Sequence, residues 1–357
     1  MIREINTEKI PIKMWLTDIE AGALEQARNL ANLPFAHSHV ALMPDCHQGF
    51  GMPIGGVIAL NNVIIPNAVG VDIGCGMCAV KTTLKHIPVF LIKNIMSRIR
   101  EIVPLGFKHQ GKPQDSGLMP GTPVNPELMP VVAREFDNAL FQVGTLGGGN
   151  HFIEIQKDEE ENIWLMIHSG SRNIGKQVAD HYNRMAIELN KNWGSPLPKS
   201  AQLAWLPFDS AYGQAYIKEM QYCVDFAFAN RKLMMDRITQ IFAENFRGDF
   251  HAFPMINIAH NYASIEEHYG REVIVHRKGA TLADRGTVGI IPGSQGTQSF
   301  IVKGRGNPES FHSCSHGAGR VMGRKQAQRS LNLKEEIKKL DEKGIMHAVR
   351  TVKDLDE

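Results

Sequence analysis

Asp72 and Cys75 are separated by two residues in the glycine-flanked turn Gly70-Val71-Asp72-Ile73-Gly74-Cys75-Gly76-Met77-Cys78. That spacing aims a carboxylate and a thiolate at one point, and a thiolate can bridge two metal ions; the plainer reading is a tight turn with a buried cysteine. Cys75 with Cys78 also makes a Cys-x-x-Cys pair, which elsewhere holds zinc or does redox chemistry. With no second such pair in the chain, a structural zinc knuckle is disfavoured. In Gly147-Gly148-Gly149-Asn150-His151-Phe152-Ile153-Glu154 the glycine run lets backbone N–H groups approach a phosphate. Strand alternation then sends His151 and Glu154 to opposite faces, toward different ligands. Ile167-His168-Ser169-Gly170-Ser171-Arg172-Asn173 places a histidine, two hydroxyls and an arginine at a strand-to-helix junction, where helix amides and a guanidinium can hold an anion. Helix capping by Ser171 or Asn173 is the alternative.

Further groups follow along the chain. His260-Asn261 ends an apolar strand, and alone reads as a core histidine. His276-Arg277-Lys278-Gly279-Ala280 is a basic strand end, either a phosphate contact or a solvated turn. Ile291-Pro292-Gly293-Ser294-Gln295-Gly296 is a turn offering Ser294 to a base or phosphate. Ser315-His316-Gly317-Ala318-Gly319-Arg320 precedes a helix; His316 there either binds metal or attacks phosphorus. One Asp, one Cys and several His from separate strand ends make a transition-metal site that suits manganese, zinc, iron or cobalt. Arg172, Arg277 and Arg320 add phosphate-binding capacity. Together these residues describe a metal-dependent phosphoryl-transfer enzyme, and no P-loop, kinase or lysine-nucleotidyl pattern competes.

The elements that position these groups are mixed. Thr17 and Glu20 form a capping-box pattern for a helix to about Asn32. Val40–Met43 reads as a short strand ending at Pro44-Asp45-Cys46-His47. Strands are expected at Val57–Leu60, Val63–Ile65, Cys78–Thr82, Met255–Ile258, Val273–His276 and Ser299–Val302. His151–Gln156 and Ile163–Ile167 should pair as a hairpin. Helices are expected at Pro88–Ile102, Val131–Phe141 and Tyr212–Phe246, with a charged helical region from Arg320 onward and a loop over Leu105–Pro130. The apolar face of Tyr212–Phe246 reads as core. His37, His39, His86, His109, His181, His251, His268 and His347 read as surface-like or unremarkable. The pattern predicts a mixed α/β (α+β) fold, one domain over 1–357, with central sheets surrounded by helices.

Composition bounds the function. At 43% hydrophobic residues, the 357-residue chain can bury a large core. A formal net charge of +2 excludes a strongly basic nucleic-acid coat but allows a local basic cleft. No apolar run reaches a membrane span and the N-terminus has no apolar signal core. The 5 cysteines lack framework spacing, so a reducing cytoplasm is expected.

In their order along the chain, the motifs from Pro44-Asp45-Cys46-His47 and Asp72-Ile73-Gly74-Cys75 through Gly149-Asn150-His151, His168-Ser169-Gly170-Ser171-Arg172, His260-Asn261 and His276-Arg277-Lys278-Gly279-Ala280 to His316-Gly317-Ala318-Gly319-Arg320 resemble the RtcB family of RNA ligases. The resemblance runs from about residue 40 to the C-terminal end, and it implies roles. Cys75 bridges two Mn2+ ions; His168 and His260 complete one ion's ligands, Asp72 and His151 the other's. His316 attacks the α-phosphate of GTP and carries GMP. Asn150 and the Gly317, Ala318, Gly319 loop contact the GMP phosphate, Glu154 and Ser294 the guanine. Arg172 and Arg320 hold the RNA phosphate, with Arg277 and Lys278 as further phosphate contacts. The implied partner is RNA with 3′-phosphate or 2′,3′-cyclic phosphate and 5′-hydroxyl ends, in tRNA splicing or repair. An activating protein is left open, and no membrane is involved. Family members carry a further C-terminal segment with a guanine-contacting lysine that matches no residue here. Weaker GTP binding and poorer discrimination against ATP are therefore expected. The competing readings are a metal-dependent end-healing phosphoesterase without sealing and a non-catalytic RNA binder.

Overall fold

Two apolar faces on one strand set the first layer. In Met52–Leu60, Met52, Ile58 and Leu60 pack with Ala23, Ala27 and Leu30 of the helix Ala21–Ala31. Val57 and Ala59 point the other way, into Ala41, Met43, Val275 and Phe311, as the two-residue period of a strand demands. In spatial order the six-stranded sheet runs Arg3–Ile5, Ile12–Met14, Ala36–Phe50, Met52–Leu60, Arg271–Lys278, Asn261–His268. Only Ile12–Met14 with Ala36–Phe50 is parallel. A four-stranded antiparallel sheet, Ile256–Ala259, Gly76–Lys81, Ile163–Ser169, Phe152–Lys157, lies beside it. Its Cys78, Val80, Leu165 and Ile167 meet Met234, Ile238 and Phe242 of the long helix Ala211–Asn245. The opposite face, Met77, Ala79 and Met166, meets Ile290 of the hairpin Val288–Ile291 with Phe300–Lys303. The N-terminal half of that helix packs against Arg172–Asn192 and Pro130–Leu140 in a separate cluster. The result is a mixed α/β fold. This computed structural model describes residues 1–195, 197–319 and 322–355. Arg320 lies outside the described residues.

Several expectations need correction. The first helix begins at Ala21 with no side-chain cap. Thr17 hydrogen-bonds Asp18, and Glu20 Oε2 accepts from Gln48 N at 2.9 Å, so the capping-box residues are spent elsewhere. The strand expected to stop at Met43 continues to Phe50, with register shifts between Leu42 and His47 and again before Phe50. Pro44 lies inside the first shift, where a residue without an N–H is tolerated. The bulge carries Asp45 inward, 4% exposed. His39 and His268 are buried, not surface-like. His39 stacks on Phe311 with centroids 4.4 Å apart, and His268 Nε2 contacts Glu266 Oε2 at 2.8 Å.

Candidate active site

The Asp72–Cys75 turn is closed by Cys75 N–H donating to Asp72 O at 3.1 Å and zipped to a distant segment. Gly74 N–H donates to Asn261 O at 2.8 Å, His260 N–H to Cys75 O at 2.8 Å, and Asn261 Nδ2 to Asp72 O at 3.0 Å. His260 is thereby held beside Cys75 by backbone bonds. Gly170 lets Asp72 lie flat against the third motif: a Cβ there would stand 2.1 Å from Asp72 Oδ1.

Two buried polar residues of Ala211–Asn245, not anticipated from the sequence, fix these loops from behind. Asn230 Oδ1 accepts from Gly144 N at 2.7 Å and Thr145 N at 3.1 Å, and its Nδ2 donates to Thr145 O, Ser169 Oγ and Gly170 O. Arg231 Nη1 donates to Gly74 O at 2.9 Å and Ser169 O at 2.8 Å, and its Nε to Asn257 Oδ1 at 2.7 Å. An Asn-Arg pair inside an otherwise apolar helical stripe was the available signal, since such groups are buried only when they are hydrogen-bonded.

The side chains converge as two triads that share one atom. Cys75, His168 and His260 form one, and Asp72, Cys75 and His151 the other, with ligand atoms within 4.8 Å of one another. Cys75 Sγ stands 3.3 Å from His168 Nε2 and 3.5 Å from His151 Nε2; His151 Nε2 is 3.0 Å from Asp72 Oδ2. Tautomers follow from the other ring nitrogens. His168 Nδ1 donates to Asn150 O at 2.6 Å and His151 Nδ1 to Leu146 O at 3.0 Å, since a carbonyl can only accept. The neutral His168 ring then presents its Nε2 lone pair, which faces His260 Nε2 at 3.4 Å. Burial, reinforced by neighbouring imidazoles, holds His168 and His260 well below the ordinary histidine pKa. Burial opposes the Asp72 charge, but His151 overrides it and the carboxyl sits at about 2. Burial and the Asp72 charge push the Cys75 thiol well above its ordinary value. Facing lone pairs, an ionised carboxylate and a thiol that only a cation would ionise fit metal binding, with carbonyl-anchored imidazoles as outer support.

His316 joins this centre edge-to-face with His260, centroids 4.8 Å apart. Asp45 Oδ2 accepts from the backbone N–H of His316 at 3.0 Å and of Gly317 at 3.1 Å. His316 Nδ1 lies 2.6 Å from the same oxygen, and among the described residues it finds no partner in hydrogen-bonding geometry. Asp45 belongs to the Pro44-Asp45-Cys46-His47 motif, and its burial and the bulge make it the anchor of the His316 loop. Gly319, at φ 78°, wraps over it, where a Cβ would sit 3.1 Å from Asp45 Cα.

A cleft of about 2850 Å³ opens over the triads and His316. Asn150, Glu154, Ser294, Gly317, Ala318, Gly319 and Lys278 all line it. Burial raises the Glu154 pKa, and Gln156 Nε2 bridges Glu154 Oε2 at 2.5 Å and Ser299 Oγ at 3.0 Å. Gln156 and Ser299 are additions to the sequence reading. Ser294 is turned toward Thr297 Oγ1. Arg172, at φ 59°, donates from Nε to Thr145 Oγ1 at 3.0 Å and from Nη2 to Gly106 O at 2.8 Å.

Arg277 is the correction. It is fully buried and forks onto Glu266, with further bonds to Ser313 Oγ and Phe311 O, both 2.9 Å, and Ser264 Oγ. Its donors are committed to architecture, so it is neither a solvated turn nor open to a phosphate.

The family model described as tRNA-splicing ligase RtcB matches residues 26–357. The RNA-splicing ligase RtcB of Escherichia coli strain K12 is 39% identical over 94% of this chain and 87% of its own length. The tRNA-splicing ligase RtcB of Thermococcus kodakarensis is 33% identical over 86% and 77%. The RNA-splicing ligase RtcB homolog 1 of Entamoeba dispar is 33% identical over 91% and 73%.

Proposed function

The chain belongs to the RtcB family, and from that premise we propose that it seals RNA, joining 3′-phosphate or 2′,3′-cyclic phosphate ends to 5′-hydroxyl ends with GTP as cosubstrate and two Mn2+ ions as cofactors. The role is RNA ligation in tRNA splicing or RNA repair. The single observation that best supports it is the pair of ligand triads sharing Cys75 with His316 beside them.

Asp72, Cys75, His151, His168 and His260 would hold the ions, which when bound supply charge neutralisation on the phosphoryl oxygens. With Nδ1 turned toward Asp45, His316 has Nε2 left for bond formation. That nitrogen attacks the α-phosphorus of GTP; the bond to pyrophosphate breaks and a His316–GMP phosphoramidate forms. An oxygen of the RNA 3′-phosphate then attacks the same phosphorus, the N–P bond breaks, and His316 is regenerated as RNA(3′)pp(5′)G forms. The 5′-hydroxyl oxygen of the second strand attacks the RNA phosphorus, and GMP leaves. A cyclic end is first opened to the 3′-phosphate by water. The covalent intermediate divides one exchange into easier ones. Asn150 and Gly317–Gly319 cradle the GMP phosphate, and Glu154 and Ser294 read the guanine. Arg172 acts on RNA phosphate, as does Arg320, while the buried Lys278, expected beside them, spends its ammonium on Phe50 O and Asn67 O. Arg172 Nη1 lies against Gly147, where any side chain would collide with it. Among the described residues no helix is long and apolar enough to cross a membrane. All five cysteines are free, and we assign the activity to a reducing cytoplasm.

The test is incubation with labelled GTP and Mn2+. The parent protein should carry an acid-labile, alkali-stable label that chases into joined RNA, and His316→Ala should carry none. A labelled His316→Ala protein would overturn the nucleophile assignment; an unlabelled parent would overturn the ligase reading.

A further inference from the structure

The cleft is larger than a nucleotide needs. At about 2850 Å³ it exceeds the roughly 300–1,000 Å³ of ordinary small-molecule pockets. Part of the surplus borders the turn between Ala36–Phe50 and Met52–Leu60, where Phe50 is 72% exposed. Val71, beside the ligand Asp72, is 54% exposed, and both side chains line the cleft. Phe50 belongs to none of the core clusters, so its ring is not explained by packing. Its backbone is nevertheless firmly held. Lys278 Nζ donates to Phe50 O at 2.6 Å and to Asn67 O at 2.9 Å, and a Cβ on Gly51 would stand 2.6 Å from Gln202 O. A fixed backbone presents a bare aromatic ring.

The same lysine ties Phe50 to the reacting centre. Its Cε lies 3.1 Å from where a Gly70 Cβ would be, next to Val71 and Asp72. The following residue, Gly279, would place a Cβ 3.0 Å from His316 Cε1. Phe50 and Val71 are therefore tied, through Lys278 and Gly279, to the segments that carry Asp72 and His316, and all four residues line the one cleft. Two sets of cleft-lining residues offer opposite chemistry. Glu154, Gln156, Ser299 and Ser294 present a polar set that can read a base edge. Phe50 and Val71 present an apolar face that can stack on any base.

We infer that Phe50, backed by Val71, is the stacking platform for the base of the RNA nucleotide carrying the 3′-phosphate. This rests on the ligase reading, in which that phosphate must reach the phosphorus held on His316. Stacking of this kind tolerates any base identity, as a ligase for varied ends requires.

The test compares GMP transfer to a 3′-phosphate RNA with self-guanylylation, as a ratio, in the full chain. Phe50→Ala should lower the ratio about tenfold, within the usual range for loss of one base–aromatic stack. Phe50→Trp should restore it, and Phe50→Leu, of similar bulk without a π-face, should not. For the parent protein, RNA with an abasic 3′-terminal nucleotide should be a correspondingly poorer acceptor, and the parent and Phe50→Ala should then behave alike. Equal ratios for the parent and Phe50→Ala would overturn the inference alone, as would failure of Trp to rescue. A penalty from an abasic 5′-terminal nucleotide in place of the 3′ one would also overturn it. A parent protein that labels with GMP yet transfers none to any RNA overturns the ligase reading together with this inference.

Discussion

Two buried ionisable clusters lie close together in this molecule, and they differ in whether their polar atoms are satisfied. Around Arg277, the guanidinium forks onto both oxygens of Glu266, and the remaining donors meet Ser313, Phe311 and Ser264. Burial works against the Glu266 charge, yet the Arg277 bonds hold its carboxyl at about 2. Around Cys75, imidazole lone pairs, a thiol and a carboxylate point at one another without enough protons to pair them. Histidines offer candidate ligand atoms in one cluster and a carboxylate and ring contact in the other, where His268 meets Glu266 and Phe311. A saturated buried cluster is architecture; one whose acceptors converge without donors is built for a cation.

The sharpest break of that contrast is removal of the shared ligand. Cys75→Ala should abolish both adduct formation and RNA joining, and metal analysis under Mn2+ should show both equivalents gone rather than one. Unchanged stoichiometry would mean that the triads do not share this atom. Substitution in the saturated cluster should act differently. Glu266→Ala strands Arg277 and should cost about 3–5 kcal/mol of stability, the usual penalty for breaking a buried pair. Its folded fraction should still bind metal to parent stoichiometry; loss of metal without loss of stability, read by denaturation and metal analysis, would dissolve the distinction.

Arg172 tests the border between the two kinds of site, since two of its edges hold Thr145 and Gly106. Arg172→Ala should retain substantial guanylylation and lose transfer to 3′-phosphate RNA by about 10- to 100-fold, the scale of a lost charge-assisted bond. Equal losses in both steps would place it with the architecture.

The smallest effect concerns Glu219, whose Oε1 accepts from Val131 N at 2.7 Å and Val132 N at 3.3 Å at the start of Pro130–Leu140. Its other oxygen is buried outside hydrogen-bonding geometry, and although the Val131 and Val132 amides and Tyr182 favour the charge, burial outweighs them and raises the carboxyl to about 7. A carboxyl raised in the folded state binds more protons there than when unfolded. Its contribution is therefore most favourable below the unfolded value of 4.5, and stability falls as pH rises from there through 7. Glu219→Gln keeps an acceptor for both amides and removes the titration. It should match the parent near pH 4.5 and exceed it by on the order of 2 kcal/mol at pH 8. Parallel stability curves across that window would show that Glu219 does not titrate there.

Asp72, Cys75, His151, His168 and His316 stand out in the chain alone because they sit in or beside glycine-bearing turns, which are short-range features, whereas His260, between Ala259 and Asn261, reads locally as a core histidine and joins the set only through the family resemblance. Local periodicity likewise gave the helices Val89–Ile102 and Ala211–Asn245 nearly to their ends, and the hairpin of Phe152–Lys157 with Ile163–Ser169. Long-range pairing decided the rest. Whether the basic residues of His276-Arg277-Lys278 face solvent, a phosphate or a carboxylate depends on Glu266, which the neighbouring antiparallel strand brings opposite Val273. Whether Asp45 matters depends on a bulge around Pro44 and on a loop 271 residues away in the chain. Asn230 and Arg231 gain their meaning only when the loops at Gly74, Gly144 and Ser169 fold against one helix. Sequence spacing fixes which groups are available, but satisfaction of a buried polar atom is set by its neighbours in space, and those are chosen by strand register and packing.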